Sequence, residues 1–290
     1  MSGRFPFAII IDGTTVLPQA MRRELDLRTL PLHVSFGAES YTADVDLTAE
    51  QFYEKIRDPK AKPTTSQPSI GECRDVYEQA ARDGFRDMLV LSLATELSGT
   101  FSVASTTAQQ IIDANIVVVD TRSTASSIGL ISTACAKARR EGRSLEQTVA
   151  LARGLAGKTN LLALIDTLDF LRRSGRISGA RAIFGSLLSV KPILEVGGGK
   201  AEAVDRVRTR ERGIARLKEL VEARTPPGAR IHAAVLHADA PDRARLLGEW
   251  VQERFHCVEY WVDEAGPGLA SHAGPGTVAI GWYQEEHSAQ

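Results

Sequence analysis

Three short apolar runs, each followed by a polar loop, constrain the fold of this chain more than any other feature. They occupy residues 7–11, 87–93 and 116–119. Runs of this length are typical of strands in a parallel sheet, which crossover helices bury on both faces. Helical patterns separate the runs, so the sequence predicts an open, mostly parallel α/β sheet. In such sheets ligands bind beyond the carboxyl ends of the strands.

Polar side chains follow all three runs. We expect Asp12, Thr95, Ser98 and Asp120 to gather at that edge of the sheet. Ser98 and Gly99 also stand where a helix is predicted to begin, and the unpaired amides of a helix N-terminus favour an anion. A serine cap at a helix start is common, so this segment is weak support by itself.

The pattern changes between residues 154 and 159, where a domain boundary is predicted. Residues 193–207 have the pattern of a hairpin with a glycine-rich turn, and alternating helices and strands follow. A mixture of this kind is typical of an α+β domain. We therefore expect an N-terminal α/β domain at residues 1–158, a C-terminal α+β domain at 159–285 and a polar tail at 286–290.

Composition and charge disfavour several classes of protein. A net charge of -1 over 290 residues argues against nucleic-acid binding, which needs a basic excess. No apolar run approaches the roughly 20 residues of a membrane-spanning helix, and the first residues lack a signal-peptide pattern. Three cysteines, Cys73, Cys135 and Cys257, lie far apart in the chain. They predict reduced thiols in a cytoplasmic protein without a metal site.

A hydroxyl-rich segment lies between two prolines at Pro63 and Pro68. Its side chains, Thr64, Thr65 and Ser66, can donate hydrogen bonds to a carboxylate or phosphate without adding charge. The prolines stiffen the predicted loop and lower the entropy cost of holding the hydroxyls in place. The alternative is a turn whose hydroxyls cap their own backbone.

His272 lies in a glycine- and proline-rich segment, residues 266–276, which predicts a loop. The imidazole is able to donate to an anion or to relay a hydrogen bond to a hydroxyl. A structural or solvent-exposed histidine is the alternative.

Arginines cluster in two places along the chain. One group is Arg172, Arg173, Arg176 and Arg181, and the other is Arg206, Arg208, Arg210, Arg212 and Arg216. Such local patches suit a phosphate, an anionic membrane surface or an acidic protein partner. The alternative for both groups is a solvated face whose charges are paired with neighbouring acidic residues.

Taken in order, these segments resemble the DegV family, whose members include the bacterial fatty-acid-binding FakB proteins. The proline-threonine-threonine-serine block and the later Ser-Gly-Arg-Ile block are the most specific. The matching segments are residues 12–14, 62–68, 97–100, 119–121, 171–177, 191–194, 207–209 and 272–276.

The resemblance implies a two-domain α/β protein that holds one long-chain fatty acid between its domains. Matching positions place the carboxylate at Thr64, Thr95 and His272. It implies a non-catalytic carrier without a cofactor, whose partner kinase phosphorylates the carboxylate. The neighbours implied at the carboxylate are Thr65, Ser66, Ser98, Gly99 and Gly274, and the implied partner or membrane contacts are Arg176 and Arg208.

Two positions depart from the family pattern at the polar end of the site. Gly13 replaces a serine after the first strand, and Ala94-Thr95 replaces a pair of serines. The acyl tail would be lined by the small-residue helix from Ser123 to about 141 and by the apolar segment 182–188. For that helix, close packing against a sheet is the alternative.

Two other functions are compatible with the same residues. An acyl hydrolase or acyltransferase would use Ser98 or Thr64 as nucleophile and His272 as base, with Asp12 or Asp120 orienting the histidine. A lipid sensor that works without a kinase would differ from the carrier only in its partners.

Overall fold

The computed structural model of this chain describes residues 5–176 and 190–285. The strands are β1 (Ala8–Asp12), β2 (Leu27–Leu30), β3 (His33–Phe36), β4 (Glu39–Thr42), β5 (Pro63–Ser66), β6 (Asp87–Ser92), β7 (Asn115–Asp120), β8 (Asn160–Leu164), β9 (Lys191–Gly197), β10 (Lys200–Val207), β11 (Arg230–His237), β12 (His256–Glu264) and β13 (Val278–Gln284). The helices are α1 (Gln19–Glu24), α2 (Ala49–Lys55), α3 (Ile70–Arg82), α4 (Thr100–Ala108), α5 (Ser126–Arg140), α6 (Leu145–Ala156), α7 (Leu168–Ser174), α8 (Arg210–Glu222), α9 (Pro241–Arg254) and α10 (Pro267–Ala273).

The first sheet contains the three apolar runs and confirms the parallel arrangement predicted for them. Its order is β2-β1-β6-β7, and every neighbouring pair is parallel. Ile9, Ile10 and Ile11 of β1 are all fully buried, which explains why the run does not alternate with polar residues.

The second sheet has the order β10-β9-β8-β13-β11-β12 and is mixed. Its only parallel pair is β11 with β12, and β9 and β10 form the predicted antiparallel hairpin. Together the two sheets confirm the α/β fold class with an α+β second part. The division at residues 158 and 159 stays a prediction.

Helix α5 packs between these two sheets, and its small residues make that possible. A Cβ on Gly129 would lie 2.6 Å from the carbonyl oxygen of Val16 and 3.2 Å from the ring of Trp261. From the other side, a Cβ on Gly281 of β13 would lie 2.5 Å from Oγ of Ser126. The density of small residues in this helix is therefore explained by close helix–sheet packing.

The hydroxyl-rich segment that was predicted to be a loop belongs to a small antiparallel sheet of order β4-β3-β5. Residues 63–66 form its edge strand rather than a loop. Threonine is favourable in a strand, and an edge position tolerates the missing amide of Pro63. The prolines at both ends therefore bound a strand.

The predicted loop around His272 is also wrong, because His272 lies on helix α10. Pro267 occupies the first turn of that helix, where proline is well tolerated. Gly274 follows the last turn with a φ of 76°, as is common just beyond a helix. The glycine and proline residues mark the two ends of α10.

Candidate functional site

A cavity of about 380 Å³ lies between the carboxyl edge of the first sheet and one face of the second sheet. Strands β8, β9, β10, β11 and β13 and the segment after β6 supply most of its apolar wall. The side chains of that wall are Leu93, Leu97, Leu161, Ala163, Leu194, Val196, Ala201, Leu236 and Ala279. The volume falls within the range of about 300–1,000 Å³ that is usual for small-molecule sites.

The polar end of the cavity is built from three separate parts of the chain. Strand β5 and the following residue contribute Thr65, Ser66 and Gln67, and the start of α4 contributes Ser98 and Gly99. Helix α10 contributes His272, and Arg176 lies at the mouth. Hydroxyl groups, an amide and an imidazole thus meet at one end of a space whose remaining lining is mostly apolar.

Thr65 and His272 form the central contact of that end. Oγ1 of Thr65 lies 2.8 Å from Nε2 of His272. Nδ1 of His272 is shielded from solvent and has no hydrogen-bond partner among the described residues. Buried polar atoms are nearly always paired, so an orphan nitrogen beside a cavity points to a missing polar partner.

Burial, together with the positive charge of Arg176, lowers the pKa of His272 to about 4. The imidazole is therefore neutral near pH 7. One of its ring nitrogens then carries a proton and the other is an acceptor.

The contact between Gln67 and Gly99 joins the strand to the start of α4. A Cβ on Gly99 would lie 2.2 Å from Oε1 of Gln67, so a larger residue would displace the Gln67 side chain from this contact. Ser98 Oγ accepts a hydrogen bond from the amide of Thr100 and lies 3.0 Å from its hydroxyl. Sequence reasoning did not assign Gln67 to the site, although its place beside the hydroxyl block was a signal.

Thr64 is exposed and lies outside the cavity lining. Thr65 lines the cavity together with Ser66 at the end of β5, whereas Thr64 does not. Thr65 rather than Thr64 therefore lines the cavity, and the predicted ligand contact of Thr64 stays a prediction.

Thr95 and Gly274 lie near the cavity without lining it. Thr95 is exposed, and its hydroxyl donates to Oδ2 of Asp120 at 2.8 Å. It borders a shallow cleft that joins the mouth of the cavity at Ser98, Gly99 and Arg176. Gly274 packs against Phe170, whose ring would lie 2.7 Å from an added Cβ.

Two carboxylates predicted at this edge support the backbone. Asp12 Oδ1 accepts a hydrogen bond from the amide of Thr14 at 2.7 Å, and Oδ2 accepts one from the amide of Leu93. Burial raises the pKa of Asp12, and these hydrogen bonds partly offset that effect. Asp120 accepts from Thr95 and from the amide of Arg122. Neither carboxylate is hydrogen-bonded to His272.

The departure at position 13 has a steric cause. A Cβ on Gly13 would lie 2.7 Å from Cβ of Leu32, which itself lines the cavity. A serine could not occupy this position unless Leu32 moved.

The second arginine cluster is largely ion-paired, as its alternative interpretation predicted. Arg210 binds Asp166 at 2.6 Å, and Arg216 binds Asp205 at 2.5 Å. Arg212 binds Glu219 at 3.3 Å. Arg208 is exposed between β10 and α8.

The structure describes only part of the chain that was predicted to line the acyl tail. Thr124 and Ala125, just before α5, line the cavity, whereas α5 itself packs between the sheets. The other predicted segment, residues 182–188, and Arg181 lie outside the described residues.

Within residues 5–176 and 190–285, no group of three or more histidine, cysteine, aspartate or glutamate side chains is arranged to hold a metal ion. No helix in those ranges is long and apolar enough to cross a membrane.

Comparison with known proteins shows one consistent likeness. A family model described as an uncharacterised protein of the DegV family matches residues 6–285. A DegV domain-containing protein from Deinococcus radiodurans is 35% identical over 275 residues, which cover 94% of this chain and 96% of that protein.

Solved structures show the same likeness. One, described as fatty acid binding of a DegV family protein from Thermus thermophilus, has a TM-score of 0.89 at 31% identity and covers 97% of this chain and 100% of that one. Another, described as DegV, a fatty acid binding protein from Bacillus subtilis, has a TM-score of 0.87 at 28% identity with coverage of 97% and 100%.

Proposed function

This chain belongs to the DegV family, and we propose that it binds one long-chain fatty acid with the carboxylate at Thr65 and His272. The acyl chain fills the apolar cavity between the sheets. The observation that carries this proposal is the orphan Nδ1 of a neutral histidine at the polar end of an apolar cavity.

The apolar wall supplies most of the binding energy. A chain of ~15 methylenes gains ~12 kcal/mol on transfer from water, at about 0.8 kcal/mol for each methylene. Association and chain ordering cost a large part of that gain. The surplus is enough for tight binding with only a few polar contacts.

The Thr65–His272 pair has one hydrogen left for a ligand carboxylate, whichever tautomer is present. If Nε2 carries the proton and donates to Thr65, the Thr65 hydroxyl is free to donate to the ligand. If the hydroxyl donates to Nε2, the proton on Nδ1 is the free donor. Neutral donors of this kind satisfy a buried carboxylate without a costly buried ion pair.

We further propose that this carrier works in the cytoplasm and presents the carboxylate to a partner kinase. The mouth of the cavity supports it, because the polar end opens into the shallow cleft beside exposed Thr95 and Lys200. Arg176 lies where the cavity and the cleft meet. Its positive charge attracts an anionic group that enters or leaves the cavity.

An acyl-transfer enzyme fits the geometry less well. The hydroxyl of Ser98 contacts Thr100 rather than His272, and Thr64 is exposed. The carboxylates of Asp12 and Asp120 are bonded elsewhere, so neither orients the histidine. A general base works best with a pKa near the working pH, and the pKa of His272 is about 4.

Native mass spectrometry of the purified protein tests the binding proposal. We expect one fatty acid per chain, identified after solvent extraction, or one that adds when the protein is incubated with a panel of saturated and unsaturated acids. A ligand-free mass that stays unchanged with every acid in the panel would overturn the proposal. Addition of the kinase and ATP then separates a carrier, whose acid is consumed, from a sensor, whose acid is not.

A further inference from the structure

A second chamber of about 500 Å³ lies beside the acyl cavity, beneath the loop between β1 and α1. Its lining includes the polar side chains of Thr15, Arg22 and Asp44. Among the described residues, Thr14, Leu32 and Leu269 line both spaces. Their side chains form the wall between the cavity and the chamber.

Leu32 is closely packed within this wall. A Cβ on Gly13 would lie 2.7 Å from Cβ of Leu32, and a Cβ on Gly268 would lie 2.1 Å from its Cδ2. The carbonyl oxygen of Leu32 accepts a hydrogen bond from the amide of Ala43 at 2.8 Å. Two glycines therefore leave a slot that the leucine side chain occupies, while the backbone bond fixes its position.

The chamber behind Leu32 has an apolar side as well. Val16, Leu17 and Leu30 contribute to its lining. A methyl group that passed the position of Leu32 would therefore meet apolar surface in the chamber. In the native chain the leucine side chain fills that path.

We propose that Leu32 is a specificity-determining residue that restricts the cavity to unbranched acyl chains by closing the side chamber. This inference rests on the proposed function, because it concerns which fatty acids enter the same cavity. Exclusion of a single carbon from a well-packed apolar site changes affinity by roughly 10–200-fold. A branch directed at Leu32 is rejected on that scale.

The test measures affinities for a straight-chain saturated acid and for monomethyl-branched isomers of equal carbon number, with the branch moved along the chain. The proteins are the wild type, Leu32→Ala and Leu93→Ala. Leu93 also lines the cavity but does not border the chamber, so its variant adds similar volume without opening the wall. If Leu32→Ala does not fold, Leu32→Val, which removes one carbon, replaces it in the test.

We expect the wild type to reject the isomers whose branch meets Leu32. In Leu32→Ala the affinity for those isomers should rise at least about tenfold relative to the affinity for the straight-chain acid. The relative affinity for isomers branched at other positions should not change. Leu93→Ala should not give the same gain at the same positions.

Equal branch selectivity in the wild type and Leu32→Ala, or the same gain in Leu93→Ala, would overturn this inference alone. Failure of the wild type to bind the straight-chain acid would overturn the proposed function and this inference with it.

Discussion

The hydroxyl of Thr65 lies 2.8 Å from Nε2 of His272, although 207 positions separate the two residues in the chain. Thr65 belongs to the edge strand of the small sheet, and His272 belongs to the short helix that precedes the last strand of the mixed sheet. The polar end of the cavity therefore exists only when both sheets are folded and packed together.

Thr65→Val should weaken fatty-acid binding roughly 10–100-fold, because a hydrogen bond to a charged group contributes about 1.5–3 kcal/mol. Valine keeps the β-branched shape of threonine, so the strand is retained. Isothermal titration with a long-chain acid measures the change. The matched control is Thr64→Val, which alters an exposed hydroxyl one residue away and should leave the affinity unchanged. Equal losses in both variants would mean that Thr65 has no special contact with the ligand.

The pKa of His272, about 4 in the free protein, should rise when a fatty acid binds. A carboxylate beside the ring stabilises the imidazolium form, and this opposes the effects of burial and of Arg176. NMR titration of the His272 ring, with and without ligand, measures the shift. An unchanged pKa in the complex would place the carboxylate away from this ring.

His272 should also make the stability of the free protein depend on pH. Its folded pKa of about 4 lies below the usual 6.5, so between these values the unfolded chain binds more protons. The free energy of unfolding should therefore fall, by up to about 3 kcal/mol, as the pH decreases from 6.5 towards 4. His272→Gln cannot titrate, so the difference between the two denaturation curves isolates this contribution. A difference that stays constant with pH would contradict the lowered pKa.

Local sequence patterns predicted β1 and β6 because burial on both faces leaves an uninterrupted apolar run, as in Ile9, Ile10 and Ile11. They missed the edge strand β2 of the same sheet, most of which is only half-buried. The same patterns failed at β5 and α10, where prolines and glycines suggested loops. In both cases the prolines and glycines lie at the ends of a regular element. The conformation of the residues between them depends on packing against neighbouring elements. Which of Thr64 and Thr65 lines the cavity depends on which face of β5 packs against α10. The local sequence carries no information about that packing.

Two helical glycines should respond in opposite directions to alanine. Gly154 in α6 has no atom within 4 Å of an added Cβ, so Gly154→Ala should raise stability by about 0.5–1 kcal/mol through helix propensity. Gly129 in α5 has the Val16 carbonyl 2.6 Å from that position, so Gly129→Ala should destabilise the protein despite the same propensity. Chemical denaturation measures both changes. Stabilisation by both substitutions would mean that α5 is not packed closely between the sheets.

Asp166 joins three elements of the second sheet region, β9, α8 and α9. Its loss should destabilise the protein by about 2 kcal/mol, the scale of a hydrogen bond to a charged group. Its carboxylate accepts from Lys191 at 2.7 Å and from Arg210 at 2.6 Å, and Arg243 lies 3.8 Å away. Burial opposes ionisation, but hydrogen bonds from Arg210 and Lys191 outweigh it and lower the pKa to about 2.

Because that folded pKa is below the usual 3.8, the stabilisation is fully present above pH 3.8 and is lost as the pH falls through about 2. The difference in unfolding free energy between the wild type and Asp166→Asn should therefore shrink with acidification below 3.8. Asp205→Asn is the control, because Asp205 pairs with Arg216 at a more exposed position. Exposed pairs contribute only about 0–1 kcal/mol, so the control should lose less. An equal loss in the two variants would show that burial of the Asp166 cluster adds nothing to the strength of its ion pairs.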